Sequence, residues 1–152
     1  IGFMGCGKST VAKQLSKNLH AERIEMDELI EKEQGMPITE IFEKYGEDEF
    51  RKLETQVLAE LGQKSAHVIA TGGGCVTKNE NYPLLHQNGT IYWIERSIAS
   101  LPTYGRPLSQ NGRLEQMYAA RKPMYEAFAD VRIHNNGSIE QVVETIVKGR
   151  AL

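Results

Sequence analysis

The sequence predicts an α/β fold built on a parallel sheet. Short β runs alternate with amphipathic helical segments, and glycine-rich loops stand where the runs end. No repeat, low-complexity tract or linker divides the 152 residues, a length that suits one domain with its own core. A single domain over 1–152 is therefore expected. Its motifs should lie along the carboxyl edge of the sheet, where open α/β folds place their ligands.

The elements follow in order. Behind the opening loop, Val11, Leu15 and Leu19 recur at helical spacing and predict a helix over Ser9–Leu19. Arg23–Met26 reads as a short strand ending at Asp27. The polar helical sequence beyond it is broken at Gly35 and Pro37. From Glu47 to Leu61, Phe50, Leu53, Val57, Leu58 and Leu61 share one face of a helix. His67–Ala70 reads as a buried strand running into Thr71 and the triplet Gly72-Gly73-Gly74. The turn at Asn88-Gly89 announces another strand, Thr90–Ile94. The polar run over 96–112 is the one long candidate loop, a short lid. A helix from Arg113 and a strand near Val131–Ile133 come next. After the Asn136-Gly137 turn, Ser138 is placed to cap a last helix carrying Ile139, Val142, Val143 and Ile146. A loop like the opening one normally follows a buried strand. Ile1 abuts it directly, so the first strand is expected to be largely missing from this N-terminus.

Composition removes several function classes. Eighteen Lys and Arg against twenty Asp and Glu give a formal charge of −2, without the basic excess a nucleic-acid surface needs. No apolar run approaches the roughly 20 residues that cross a bilayer. With no signal peptide, a reducing cytoplasm is the default setting. Cys6 and Cys75 form neither a disulfide framework nor a metal pattern. His20, His67, His86 and His134 lack ligand spacing and read as structural or surface residues.

The strongest chemical signal is Gly2-Phe3-Met4-Gly5-Cys6-Gly7-Lys8-Ser9-Thr10, a full match to G-x-x-x-x-G-K-[ST]. Glycines let the backbone wrap a phosphate with its N–H groups turned inward. The helix that follows adds its positive dipole end. Lys8 then reaches the β- and γ-phosphates of ATP, and the Ser9 hydroxyl is a Mg²⁺ ligand. Gly5, Cys6, Gly7, Lys8, Ser9 and Thr10 are the expected ATP-binding residues. A guanine-specific enzyme would need [NT]-K-x-D, and the nearest run, Thr77-Lys78-Asn79-Glu80, ends in Glu. A small-metabolite kinase is the better class.

Phosphoryl transfer asks chiefly for positioning and charge neutralisation. Glu25 and Asp27 lie two apart, so on an extended chain they face one side. One can serve the Mg²⁺ water shell and the other can orient or deprotonate a hydroxyl. Gly72–Gly74 admits a ligand close to bare backbone. Arg121 interrupts a helical stripe of Leu114, Met117 or Tyr118, Tyr125 and Phe128, where a hydrophobe was due. An arginine on such a face needs an anion, and a ligand carboxylate is one. Arg51, beside Phe50, taken alone fits a solvated helix face. Arg106, in Arg106-Pro107-Leu108, sits in the lid run, where an arginine can neutralise transition-state charge.

Taken together, GFMGCGKST, EMDELIE, GEDEFRKLE (46–54), ATGGG (70–74), GRPL (105–108) and ARKPMY (120–125) resemble the shikimate kinase family in order and near its spacing. The resemblance covers essentially the whole chain. It implies a P-loop kinase fold of the nucleoside-monophosphate-kinase type, three-layer α/β/α, with five parallel strands in the order 2-3-1-4-5. It implies transfer of the ATP γ-phosphate to the 3-hydroxyl of shikimate. By position, Lys8, Asp27 and Arg106 would be catalytic, and Asp27, Arg51, Gly73, Gly74 and Arg121 would bind shikimate. Ser9 and, through water, Glu25 would serve the metal. Glu25 stands where the family usually has the first Asp of D-x-D. Asn135 and Asn136 fall where the family shapes its adenine loop. A cytoplasmic monomer using ATP, Mg²⁺ and shikimate is expected. Two other readings remain: a gluconate or nucleotide kinase, and a shikimate-kinase-like binding module without turnover.

Overall fold

The computed structural model describes residues 1–100 and 111–150. The element order is α1 (Lys8–Leu19), β1 (Glu22–Glu25), α2 (Met26–Gln34), α3 (Ile38–Leu61), β2 (His67–Ala70), α4 (Asn81–His86), β3 (Tyr92–Glu95), α5 (Asn111–Phe128), β4 (Val131–His134) and α6 (Ile139–Arg150). Short 3₁₀ turns lie at Cys75–Thr77 and Ile98–Ser100.

Strand β1 pairs in parallel with β2, in the register Glu22 to His67 through Glu25 to Ala70. Strand β3 pairs in parallel with β4, from Tyr92–Val131 to Glu95–His134. The described strands thus form two parallel pairs rather than one continuous sheet. Between β2 and β3 runs a groove of about 430 Å³, lined by Val68, Ile69, Ile91, Tyr92, Val11 and Leu15 among others. Ile1 enters it: its N–H donates to the Tyr92 carbonyl at 2.8 Å, and Ile94 N–H donates to the Ile1 carbonyl at 2.9 Å.

Helices cover both faces. On one, Val11 and Leu15 of α1 meet Val142, Val143 and Ile146 of α6 over Ile94 and Ile133. On the other, Ile30 of α2, Ile41, Phe50, Leu58 and Leu61 of α3, and Tyr125 and Phe128 of α5 enclose Trp93. Each fully buried Ile, Leu or Phe here contributes roughly 1.5–3 kcal/mol against exposure. The apolar spacing read from the sequence is the spacing of these faces.

Several boundaries differ from the sequence expectation. Strand β1 ends at Glu25, and Asp27 lies in the first turn of α2, not on a strand. Two carboxylates, Asp27 and Glu28, favour the positive end of a helix, which explains the early start. The helix expected from Glu47 begins at Ile38 and is interrupted by Gly46 at φ 81°. Helix α5 continues through Pro123. The last-helix cap is as expected: Gln141 N–H donates to the Ser138 hydroxyl, and Ser138 N–H donates to the Gln141 side chain, each at 3.2 Å.

Candidate active site

The phosphate loop lies at the carboxyl end of the strands. Gly7, at φ 96°, turns the chain into α1. A left-handed turn there suits glycine, and it leaves Ser9 and Thr10 in the helix's first turn, among unpaired N–H groups. Lys8 folds over the loop, its ammonium donating to the Gly2 and Phe3 carbonyls at 2.8 and 3.0 Å. The carbonyls are neutral acceptors, which the ammonium can exchange for charged phosphate oxygens.

At the loop's exit the Ser9 hydroxyl donates to a Glu25 carboxylate oxygen at 3.0 Å, while Arg23 holds the other Glu25 oxygen at 3.0 Å. The two residues read as metal-serving are therefore neighbours. A hydroxyl and a carboxylate are oxygen donors of the kind Mg²⁺ takes, usually one or two from protein with phosphate and water completing the octahedron. Among the described residues no cluster of three or more His, Cys, Asp or Glu groups is placed to hold an ion.

The glycine triplet organises the other half of the site. A Cβ on Gly72 would lie 2.8 Å from both Asp27 Oδ1 and Glu54 Oε2. One on Gly73 would lie 3.4 Å from the Gly2 carbonyl and the Met4 N–H, and 3.8 Å from the Arg121 guanidinium. One on Gly74 would lie 2.2 Å from the Arg51 guanidinium. Bare backbone thus lets two carboxylates, two arginines and the phosphate loop converge. Tyr125, fully buried, donates its hydroxyl to the Gly73 carbonyl at 2.5 Å, and Thr77 holds the Gly74 carbonyl at 2.7 Å. Behind them buried Asn81 donates to the Cys75 carbonyl at 2.8 Å and accepts from Thr55 at 2.7 Å.

The electrostatics follow from burial. Asp27 keeps much of its residue surface open, yet its carboxyl end leans over Gly72. Crowding there raises its pKa, Lys8 opposes the shift, and Glu31 adds to it. Burial likewise raises Glu54, with Arg51 pulling the other way. Cys75, fully buried, is pushed up to about 11 by burial and stays a thiol.

Arg51 is not the surface residue that its position beside Phe50 suggested. It is only 7% exposed, paired to Glu54 at 2.9 Å and to Glu47 at 3.2 Å. The reason is that α3 turns this edge toward the glycine triplet. Arg121 is half-buried beside Gly73, as the interrupted stripe of α5 predicts. Arg106 lies outside the described residues. Glu54 and Tyr125 are the residues that the sequence left without a functional role, and Asn135, expected only in the adenine loop, also bonds to the phosphate loop. Glu54 had a signal: it stands on the apolar face with Phe50, Val57, Leu58 and Leu61, as anomalous there as Arg121 on its own stripe.

A glycine-cradled lysine at a helix N-terminus, beside a cluster of carboxylate and guanidinium groups, defines a P-loop kinase. The comparisons agree on this class and narrow it. The family model "Shikimate kinase" matches residues 4–150. The shikimate kinase of Thermodesulfovibrio yellowstonii is 39% identical over 97% of this chain and 91% of its own length. That of Francisella tularensis subsp. novicida is 40% identical over 96% and 89%. The structure of Acinetobacter baumannii shikimate kinase in complex with shikimate superposes with a TM-score of 0.90 at 35% identity, covering 99% of this chain and 89% of that one. This chain belongs to the shikimate kinase family.

Proposed function

We propose that this enzyme transfers the γ-phosphate of ATP to the 3-hydroxyl of shikimate, with Arg51 and Arg121 holding the acceptor's carboxylate. Family membership makes it an ATP-dependent kinase acting on shikimate. The observation that carries the finer reading is the convergence of two guanidinium groups on Gly73 and Gly74, next to Asp27 and opposite the phosphate loop. Two fixed cations suit an acceptor that carries an anionic group, such as shikimate's carboxylate, and serve poorly for an uncharged sugar or nucleoside. Gluconate and nucleotides are anions too, so the preference for shikimate over them comes from family membership.

The chemistry assigned to the site is a displacement at phosphorus. The acceptor oxygen forms a bond to the γ-phosphorus, the bond to the bridging oxygen of ADP breaks, and the hydroxyl proton passes to Asp27. A carboxyl pKa raised by its surroundings makes Asp27 a better proton acceptor than a free aspartate. Lys8 neutralises charge on the transferring group, and Gly5 to Thr10 supply N–H donors to the other phosphates. Mg²⁺, carried in with ATP, would be held at Ser9 and Glu25 and would neutralise phosphate charge. Arg106 is assigned the lid role by its motif alone.

The five-strand order is also part of this reading. A strand seated in the groove between β2 and β3 would join the two parallel pairs. With β1 to β4 as strands two to five, the order becomes 2-3-1-4-5. A monomeric state and a cytoplasmic setting are proposed with it. Both cysteines are free and buried, and no described helix is long and apolar enough to cross a membrane.

The test is Lys8→Ala together with identification of the product. Replacement should lower kcat at least about a hundredfold, the usual loss when one transition-state cation is removed. Phosphorus NMR of the wild-type product should place the new ester on the 3-oxygen of shikimate. An ester elsewhere, or turnover that survives in Lys8→Ala, defeats the assignment.

A further inference from the structure

The chain leaves β4 at Asn135, whose backbone N–H donates to the Glu95 carbonyl at 2.7 Å. Its side chain, 7% exposed, turns back to the phosphate loop, where Nδ2 donates to the Cys6 carbonyl at 2.8 Å. A Cβ on Gly7 would lie 2.5 Å from that same Nδ2, so the amide rests directly against the loop as it enters α1. The contact joins residues 129 positions apart.

We propose that Asn135 is a positioning residue for the nucleotide phosphates, a latch that sets the direction of the Gly7 N–H. A peptide unit is planar and trans, so its C=O and N–H point in opposite directions. The Cys6–Gly7 unit is gripped by its oxygen from the Asn135 side, and its N–H, the Gly7 donor, is thereby turned to the other side. Phosphate loops bind through successive N–H groups aimed into one concavity. Rotation of a single unit would lose a donor and replace it with a carbonyl facing an anion. A unit held before ATP arrives does not have to be ordered during binding. The hydrogen bond also ties the end of β4 to the start of α1, so this wall and the loop move as one piece. The inference rests on the ATP-kinase reading and adds to it a residue that acts on the phosphates through the loop.

The test compares Asn135→Ala with Asn135→Asp, which keeps the size but sets an acceptor against the Cys6 carbonyl. Calorimetry would measure ADP, adenosine and shikimate binding, with thermal unfolding as the folding control. If Asn135→Ala does not fold, Asn135→Ser carries the deletion arm. The deletion should weaken ADP about fivefold, the scale of one net hydrogen bond. Asn135→Asp should weaken it further. Adenosine and shikimate affinities should not move, and KM for ATP should rise in step with the ADP loss. Equal losses for ADP and adenosine would mean that Asn135 serves the base, and overturn the latch. Unchanged ADP affinity in Asn135→Asp would overturn it as well. A wild-type chain that fails to bind ADP would defeat the kinase reading itself, a different result from wild-type binding with indifferent variants.

Discussion

Arg51 and Glu54 stand one turn apart on α3, and their 2.9 Å ion pair closes over a carboxylate with no solvent exposure. Glu54 uses one oxygen for this bond; the other has no hydrogen-bond partner among the described residues and faces Gly72. The pair holds the guanidinium against Gly74. A buried ion pair is weak evidence for stability but good evidence for a fixed direction.

Removing the arginine head with Arg51→Met should therefore do two things. KM for shikimate should rise about ten- to a hundredfold, the range for a charge-assisted bond left unmade. Stability should fall by roughly 3 kcal/mol, because Glu54 becomes a buried charge without its cation. In the double variant Arg51→Met/Glu54→Leu, urea unfolding should show most of the stability restored while shikimate kinetics stay impaired. Recovery of both would show that Arg51 has only a structural task.

Gly74→Ala separates space from charge. The backbone at Gly74 has φ −99°, which alanine adopts without strain, but the new methyl would overlap the Arg51 guanidinium. The arginine must swing away from a position that two carboxylates define. We expect shikimate affinity to fall about tenfold, with ADP binding unchanged by calorimetry. An unaltered shikimate affinity would remove Arg51 from the carboxylate clamp.

Tyr125→Phe deletes one hydroxyl and nothing else from a packed core. The Gly73 carbonyl loses its donor, so the triplet gains freedom between Arg121 and the phosphate loop. Stability should drop about 1 kcal/mol, the net worth of one hydrogen bond. Steady-state kinetics should show KM for shikimate rising with KM for ATP steady.

Glu54 also sets a pH dependence whose sign is definite. Its folded pKa is raised above the ordinary glutamate value, chiefly by burial. Such a group supports the fold fully below its unfolded pKa, and that support is lost as pH rises through the folded pKa. Glu54→Gln cannot titrate, so its stability relative to wild type should improve from about pH 4 to pH 7. Urea unfolding across that range measures the trend; a relative decline with rising pH would mean that Arg51, not burial, governs Glu54.

Much of this was legible from residue order. The loop from Gly2 to Thr10 and the helix behind it follow from local chemistry, as does the Ser138 cap. Arg121 was legible because it broke a periodic apolar stripe. Arg51 was legible only through the family resemblance, since its neighbours permit either a solvated or a buried edge, and only packing of α3 on the glycine triplet decides between them. Asp27 was misplaced by the choice of period: ERIEMD reads equally as strand or helix start, and the first-turn acids tipped it to helix. The Asn135 contact spans nearly the whole chain, and no local pattern encodes a pairing of that range.

The deciding measurement is ADP release from Mg²⁺-ATP on addition of shikimate, with gluconate and a nucleoside monophosphate as parallel acceptors. A shikimate kinase should show a shikimate-dependent rate in the common enzyme range of about 1–1000 per second, with no comparable response to the other two. ATP binding without stimulation by shikimate, or a faster response to either control, would contradict that assignment.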